Sequence, residues 1–380
     1  MTDTLSGAEL RNRFFDSLFS DEKLIWMGQN TNHIPTHAFV KEAMISSIRS
    51  GEYNAYAPPL GFESLREAIV TDLAVEGRAL VTEGGVNALA ALVRARCGPG
   101  KNFVTSDPTW KWPGLLARQQ GAEVFELPIF GPEESYKLTP EVLRNAVNRN
   151  CALIYLVDPN NPLGTTYTAD ELAAFIDIAK SVGAILVHDC TYRDFAPGHT
   201  PAMRIDPLNA VCSVSFSKWL GLAGMRVGAL VGSPSLIEEC SAMSSSVLGA
   251  SVVSQRGAEA GLRVKSEWME TVLRINRENQ EMIREAVADQ AGLELLVWPS
   301  YANFLCIGTK SSGIEPEAMV EAYHRHGVMI RQGTYHTARF GKSFIKVSTT
   351  VPNEWARTFC DLLPVIMSEA REISDVPALF

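Results

Sequence analysis

The sequence predicts an α/β protein: a large domain whose mainly parallel sheet is flanked by helices, with a smaller α+β domain built from both chain ends. Three observations predict it. Between about residues 60 and 230, short apolar runs alternate with helical segments, as in a parallel sheet whose strands are buried on both faces. Polar residues and glycines cluster just after those runs, where open α/β sheets bind ligands. At 380 residues, the chain exceeds one small core, so a large unit plus a smaller one is the natural division.

The elements follow in order. Leu10, Phe14 and Leu18 recur at helical spacing and predict an amphipathic helix over about 7–19. The predicted strands of the large sheet are Ala79–Thr82, Phe103–Thr105, Ala152–Val157, Ala184–His188 and Val211–Phe216. A single helical stretch over about 251–290, rich in Arg, Glu and Met, would bridge the two domains. Beyond it, Tyr301–Gly308, Val328–Arg331 and Phe344–Ser348 are predicted strands of the smaller unit. These readings place the small domain at 1–45 and 290–380 and the large domain at 46–289.

Composition narrows the function. Hydrophobic content of 46% and charged content of 20% are those of a soluble globular protein. A net charge of −9 argues against a nucleic-acid partner, which needs clustered Lys and Arg. No apolar run approaches a transmembrane length, and Met1–Gly7 lacks the basic-then-apolar order of a signal peptide. The seven scattered cysteines form no C-x-x-C pair and read as reduced residues of a cytoplasmic protein.

The chemistry centres on Ser215-Phe216-Ser217-Lys218, closed by Gly224-Met225-Arg226-Val227-Gly228. A lysine so framed can form an imine with an aldehyde cofactor while hydroxyls and a guanidinium hold an anion, the combination that pyridoxal phosphate requires. Thr82-Glu83-Gly84-Gly85-Val86-Asn87 follows a strand and opens a helix, so its N–H groups suit an anion; an ordinary strand-to-helix turn is the alternative. Asp189, at the end of a buried strand and followed by Tyr192, needs a positive partner, and a pyridinium nitrogen is one. A helix cap and a core tyrosine are the alternatives. Asp158-Pro159-Asn160-Asn161-Pro162-Leu163-Gly164 reads either as a stiffened turn or as a loop presenting Asn161. Trp110 either stacks on a flat heterocycle or fills the core. Neither a dinucleotide nor a P-loop glycine pattern is present.

In this order, the motifs resemble the fold-type I pyridoxal-phosphate enzymes of aminotransferase class I/II, including the aspartate and histidinol-phosphate aminotransferases. The resemblance runs from about Gly28 to Ser348 and includes Tyr56-Ala57-Pro58-Pro59-Leu60-Gly61 with Leu65-Arg66. It implies that Lys218 is the Schiff-base lysine and proton shuttle, that Asp189 pairs with the pyridine nitrogen, and that Asn161 and Tyr192 bond the phenolic oxygen. It also implies Trp110 on the ring, and Gly85, Val86, Asn87, Ser215, Ser217 and Arg226 around the phosphate. Tyr56 would reach the phosphate of a neighbouring subunit, implying a homodimer with shared sites. The loop beginning at Gly28 resembles the segment that closes over substrate.

Two departures stand out. The family's Asn-Pro-x-Asn-Pro-Thr-Gly loop begins here with Asp158 and carries Leu163. The arginine that grips the substrate carboxylate in the family is here Lys346, in Phe344-Ile345-Lys346-Val347-Ser348, and lysine lacks the planar fork. Arg331 aligns with a position that some relatives use for an anionic group. The resemblance implies an aminotransferase moving an amino group between an amino acid, or related amine, and a 2-oxo acid; a decarboxylase, lyase or oxidase on the same scaffold is the alternative. His33 with His37, and His324 with His326, lack an acidic partner at metal-ligand spacing, so no metal is expected.

Overall fold

The computed structural model describes residues 6–245, 247–373 and 376; the N-terminal residues Met1–Leu5 of the signal-peptide reading lie outside them. Seven strands form the large sheet in the order Arg78–Thr82, Gly228–Gly232, Ala210–Ser215, Ile185–Asp189, Cys151–Val157, Asn102–Asp107 and Glu123–Pro128. Gly228–Gly232 runs antiparallel to both its neighbours; the other pairings are parallel. The five predicted strands are all present. Glu123–Pro128 was not predicted because it is an edge strand with no continuous apolar run.

Local chemistry sets the helix boundaries. Ser6 and Glu9 form a capping box that starts the helix Gly7–Ser20. Thr168 and Glu171 do the same for Ala169–Val182, which Gly183 ends at φ 75°. The predicted 251–290 helix is in fact two, Val252–Arg263 and Lys265–Ala288, broken where Val264 leaves helical geometry at φ −106° and ψ 10°. The periodicity continues through this point, so the sequence pattern does not reveal the break.

A four-stranded sheet, in the order Arg331–Gln332, Phe344–Ser348, Phe304–Gly308, Glu294–Leu295, forms the smaller unit. The predicted strand Val328–Arg331 divides between two sheets: Val328–Met329 pairs with Ile25–Trp26, whereas Arg331 pairs with Lys346. Two large buried apolar clusters result. Leu153, Ile154, Leu186 and Val211 belong to the first, and Leu305, Ile345, Val347 and Phe359 to the second. The helix Lys265–Ala288 contributes Trp268 and Val272 to the first cluster and Ile283 and Val287 to the second. No helix among the described residues is long and apolar enough to cross a membrane.

Candidate active site

A cavity of about 320 Å³ opens at the carboxyl ends of the large-sheet strands and reaches the small sheet. Lys218, on the turn after Ala210–Ser215, is partly buried there and donates to the Gln29 carbonyl at 3.0 Å. Burial, with help from the Arg226 charge, lowers its amine to about 8, while Asp189 pulls the other way. A lysine so tuned has a substantial neutral fraction near neutral pH and is therefore a competent nucleophile.

Asp189 ends the strand Ile185–Asp189 and is buried. Tyr155 donates to its Oδ2 at 2.8 Å, while Ser213 and Thr191 hydroxyls donate to Oδ1 at 2.8 and 2.7 Å. These bonds fix the carboxylate at the cavity floor, where it can answer a cationic ring nitrogen. Tyr192 and Asn161 face the same space, and Asn30 Nδ2 donates to Tyr192 Oη at 3.0 Å. Burial raises the Tyr192 phenol above its ordinary range, so it stays a donor.

An anion cradle lies at the start of the helix Gly85–Arg96. No side chain caps that helix, and Gly85 and Val86 line the cavity, leaving first-turn N–H groups for a ligand. The approach is too close for side chains. A Cβ at Gly84, whose φ is 86°, would lie 2.6 Å from Arg226 Nη2, and one at Gly228 would lie 2.5 Å from the Gly85 nitrogen. Arg226 is held by the Ala223 carbonyl at 2.8 Å, and Ser215 and Ser217 complete the rim. Amine, carboxylate and cradle together fit an aldehyde cofactor with a pyridine ring and a phosphate.

The far wall differs. Arg331 and Lys346 face each other in register on adjacent strands, 4% and 3% exposed. Neither forms an ion pair with a carboxylate among the described residues. Lys346 Nζ donates to Asn161 Oδ1 at 3.3 Å and lies over the Phe304 ring; Arg331 lies over Tyr335. Beside them, burial pushes the His336 imidazole well below its ordinary range, the cations adding to the effect, and its Nε2 is buried without a partner.

Behind the cofactor wall, Asp158 is fully buried between two stacked histidines. Its Oδ2 lies 3.0 Å from His188 Nε2 and 3.1 Å from His199 Nε2, and its Oδ1 accepts from the Tyr167 N–H. These groups, and His188 with Cys190 and Cys212, are spaced closely enough to surround an ion. The hydrogen bonds say otherwise: Ala202 N–H donates to His188 Nδ1 at 3.0 Å, so Nε2 carries the proton given to Asp158 and has no lone pair for a metal. The Asp158 departure thus serves as an anchor for the loop that carries Asn161.

Of the residues singled out from sequence, Gly28, Trp110, Asn161, Asp189, Tyr192 and Lys218 line this cavity, as do the cradle residues Gly85, Val86, Ser215, Ser217 and Arg226 and the cations Arg331 and Lys346. Two are placed elsewhere. The Asn87 side chain turns to Glu83 Oε2 at 3.2 Å, and Tyr56 is 81% exposed. His33 and His37 share no helix: His33 lies in a loop against Thr31, and His37 caps the helix Ala38–Arg49. Sequence reasoning held Asn30 only as part of the loop Gly28–His33 and missed Tyr155, Ser213, Thr191, Tyr335 and His336. Of these, Thr191, between Asp189 and Tyr192, carried a local signal.

A family model for aminotransferase class I and II matches residues 22–363. The chain belongs to this family, the pyridoxal-phosphate-dependent aminotransferases, whose enzymes move amino groups between small molecules. Among curated relatives, a histidinol-phosphate aminotransferase of Methanopyrus kandleri is 28% identical over 82% of this chain and 80% of its own. An aspartate aminotransferase of Pyrococcus horikoshii is 24% identical over 90% of each. Among solved structures, the fold is shared with Thermus thermophilus aspartate aminotransferase with maleate, at TM-score 0.83 and 22% identity over 96% of this chain and 97% of the other. It is also shared with N-succinyldiaminopimelate aminotransferase of Mycobacterium tuberculosis, at TM-score 0.84 and 20% identity over 96% and 100%.

Proposed function

We propose that the cavity at Lys218 is the transamination site and that it takes an anionic amino acid, or related amine, with a 2-oxo acid as acceptor. The observation that carries this reading is a nucleophilic lysine between a fixed carboxylate and a glycine-lined anion cradle. When bound, pyridoxal phosphate supplies an aldehyde carbon that captures amines and a ring that stores an electron pair. Lys218 Nζ would be the point of attachment and, once released, would carry a proton from the substrate carbon to the cofactor carbon that bore the aldehyde. Asp189 keeps a ring nitrogen protonated, held ready by Tyr155, Ser213 and Thr191. Asn161 and Tyr192 donate to the ring oxygen, and Trp110 stacks on the ring. Gly85, Val86, Ser215, Ser217 and Arg226 bind the phosphate; Asn87, whose N–H is bonded to the Gly84 carbonyl, supports the turn that carries them.

Arg331 and Lys346 hold the substrate anion. Histidinol phosphate and aspartate, the substrates that name two relatives, both carry anions, which is the charge these cations lack. We place the cofactor domain at 46–289 and the smaller domain at 1–45 with 290–380, with substrate bound between them. The exposed Tyr56 and Arg226 favour a homodimer in which Tyr56 completes the partner's phosphate site, and the free cysteines suit the cytoplasm. Borohydride reduction of the loaded enzyme followed by peptide mapping tests the assignment. The cofactor label should fall on Lys218 and vanish in Lys218→Ala; label persisting on another lysine defeats it.

A further inference from the structure

We propose that Lys346 is the proton-coupled half of the substrate-anion site: a carboxylate seating between it and Arg331 draws a proton onto its amine. The proposal rests on the anion reading above and adds what the exchange of arginine for lysine does. Its basis is geometric. Arg331 and Lys346 are cross-strand neighbours, both buried, with no carboxylate among the described residues paired to either.

The surroundings of Lys346 Nζ can be surveyed element by element. Its strand partner on one side presents Arg331, and on the other Cys306 and the Phe304 ring. The Asn160–Asn161 turn offers a neutral amide oxygen, the turn after the large-sheet strand offers Lys218, and the segment after Arg331 offers His336. Tyr192 and Tyr335 line the same cavity. Asp189, the one carboxylate lining it among the described residues, is engaged by three hydroxyls. Nothing in this set neutralises an ammonium group. Burial pushes the Lys346 amine well below the ordinary lysine range; Cys306 opposes this, and Lys218 and Arg331 reinforce it. Arg331 cannot relieve the repulsion, because a guanidinium keeps its proton.

A carboxylate between the two reverses the balance, and Lys346 takes a proton from solvent. No covalent bond changes and no co-reactant is needed. The linkage has a fixed sign. Binding raises the affinity of Lys346 for its proton, so carboxylate affinity is greatest at low pH. It then falls by about tenfold per pH unit across the window between the free and bound titrations. An arginine here would be charged in both states and show no such slope.

The test is succinate binding to the holoenzyme, followed by calorimetry in buffers of different ionisation enthalpy. The cofactor absorbance is recorded alongside, so that protons taken up at the Lys218 linkage are counted separately. Wild type should take up about one proton more than Lys346→Arg, and Lys346→Met should bind succinate at least about tenfold more weakly. Equal proton uptake in wild type and Lys346→Arg, with affinity still lost in Lys346→Met, overturns the proton-coupled role and leaves the anion site standing. Unchanged affinity in Lys346→Met, or no succinate binding at all, overturns both. If Lys346→Arg does not fold, the wild-type dissociation constant against pH decides. A flat profile, once the absorbance change is subtracted, overturns the proposal.

Discussion

The two walls of the cavity handle charge in opposite ways. On the large-sheet wall, Asp189 accepts three hydroxyl donors, and Asp158 behind it meets two imidazoles. On the small-sheet wall, Arg331 and Lys346 are buried against aromatic rings and amides with no carboxylate partner among the described residues. The two carboxylates of the first wall find their donors within the protein, so their geometry is set before any ligand arrives. The second wall is electrostatically unfinished, and the ligand completes it. A buried charge without a partner lowers stability; here that cost marks the face on which binding is favourable.

Substitutions on the two walls should therefore have opposite signs. Asp158→Ala leaves His188 and the Tyr167 N–H without their acceptor and should destabilise the fold by about 3 kcal/mol, read from chemical denaturation. Lys346→Met should raise the stability of the ligand-free protein by about 1 kcal/mol while reducing turnover. A loss of stability there would break the comparison. The sign of its pH dependence also follows. Lys346 binds its proton less well folded than unfolded, so wild-type stability rises with pH, and the gain from Lys346→Met shrinks as pH approaches the ordinary lysine range.

On the cofactor wall, the rate at which apoenzyme recaptures pyridoxal phosphate should climb with pH until about 8 and level above it, because attack requires the neutral Lys218 amine. Stopped-flow absorbance reads this directly. The smallest effect is expected at Tyr56→Phe. Its side chain is exposed, so unfolding should shift by less than about 0.5 kcal/mol, whereas cofactor affinity should fall only where the enzyme is dimeric.

Much of this arrangement was legible in the sequence because ligand groups at a parallel sheet follow apolar runs. Asp189 ends a strand and Asn161 and Lys218 stand just past one, so local reading finds them. Other residues had no such marker. Asn30 reaches the cavity through a bond from its own N–H to Ser348 Oγ, a partner distant in sequence. Tyr155 and Ser213 lie inside apolar runs and look like core residues until their hydroxyls are seen on Asp189. Gly228 read as the close of the lysine motif, yet it begins an antiparallel strand, Gly228–Gly232, one in from the edge of the large sheet. Pairing of this kind is decided by tertiary contacts, which one sequence does not display. The Asp158 departure was visible, but its histidines, one on a strand and one in a loop, became its partners only through folding.

The helix Lys265–Ala288 carries a consequence of its own. At 24 residues it is a rod of about 36 Å, and it buries side chains in both apolar clusters. Neither cluster can open without stripping one end of the same helix, so the two units should melt as one cooperative transition. The wall that captures substrate and the wall that performs the chemistry are thus tied in survival as well as in catalysis.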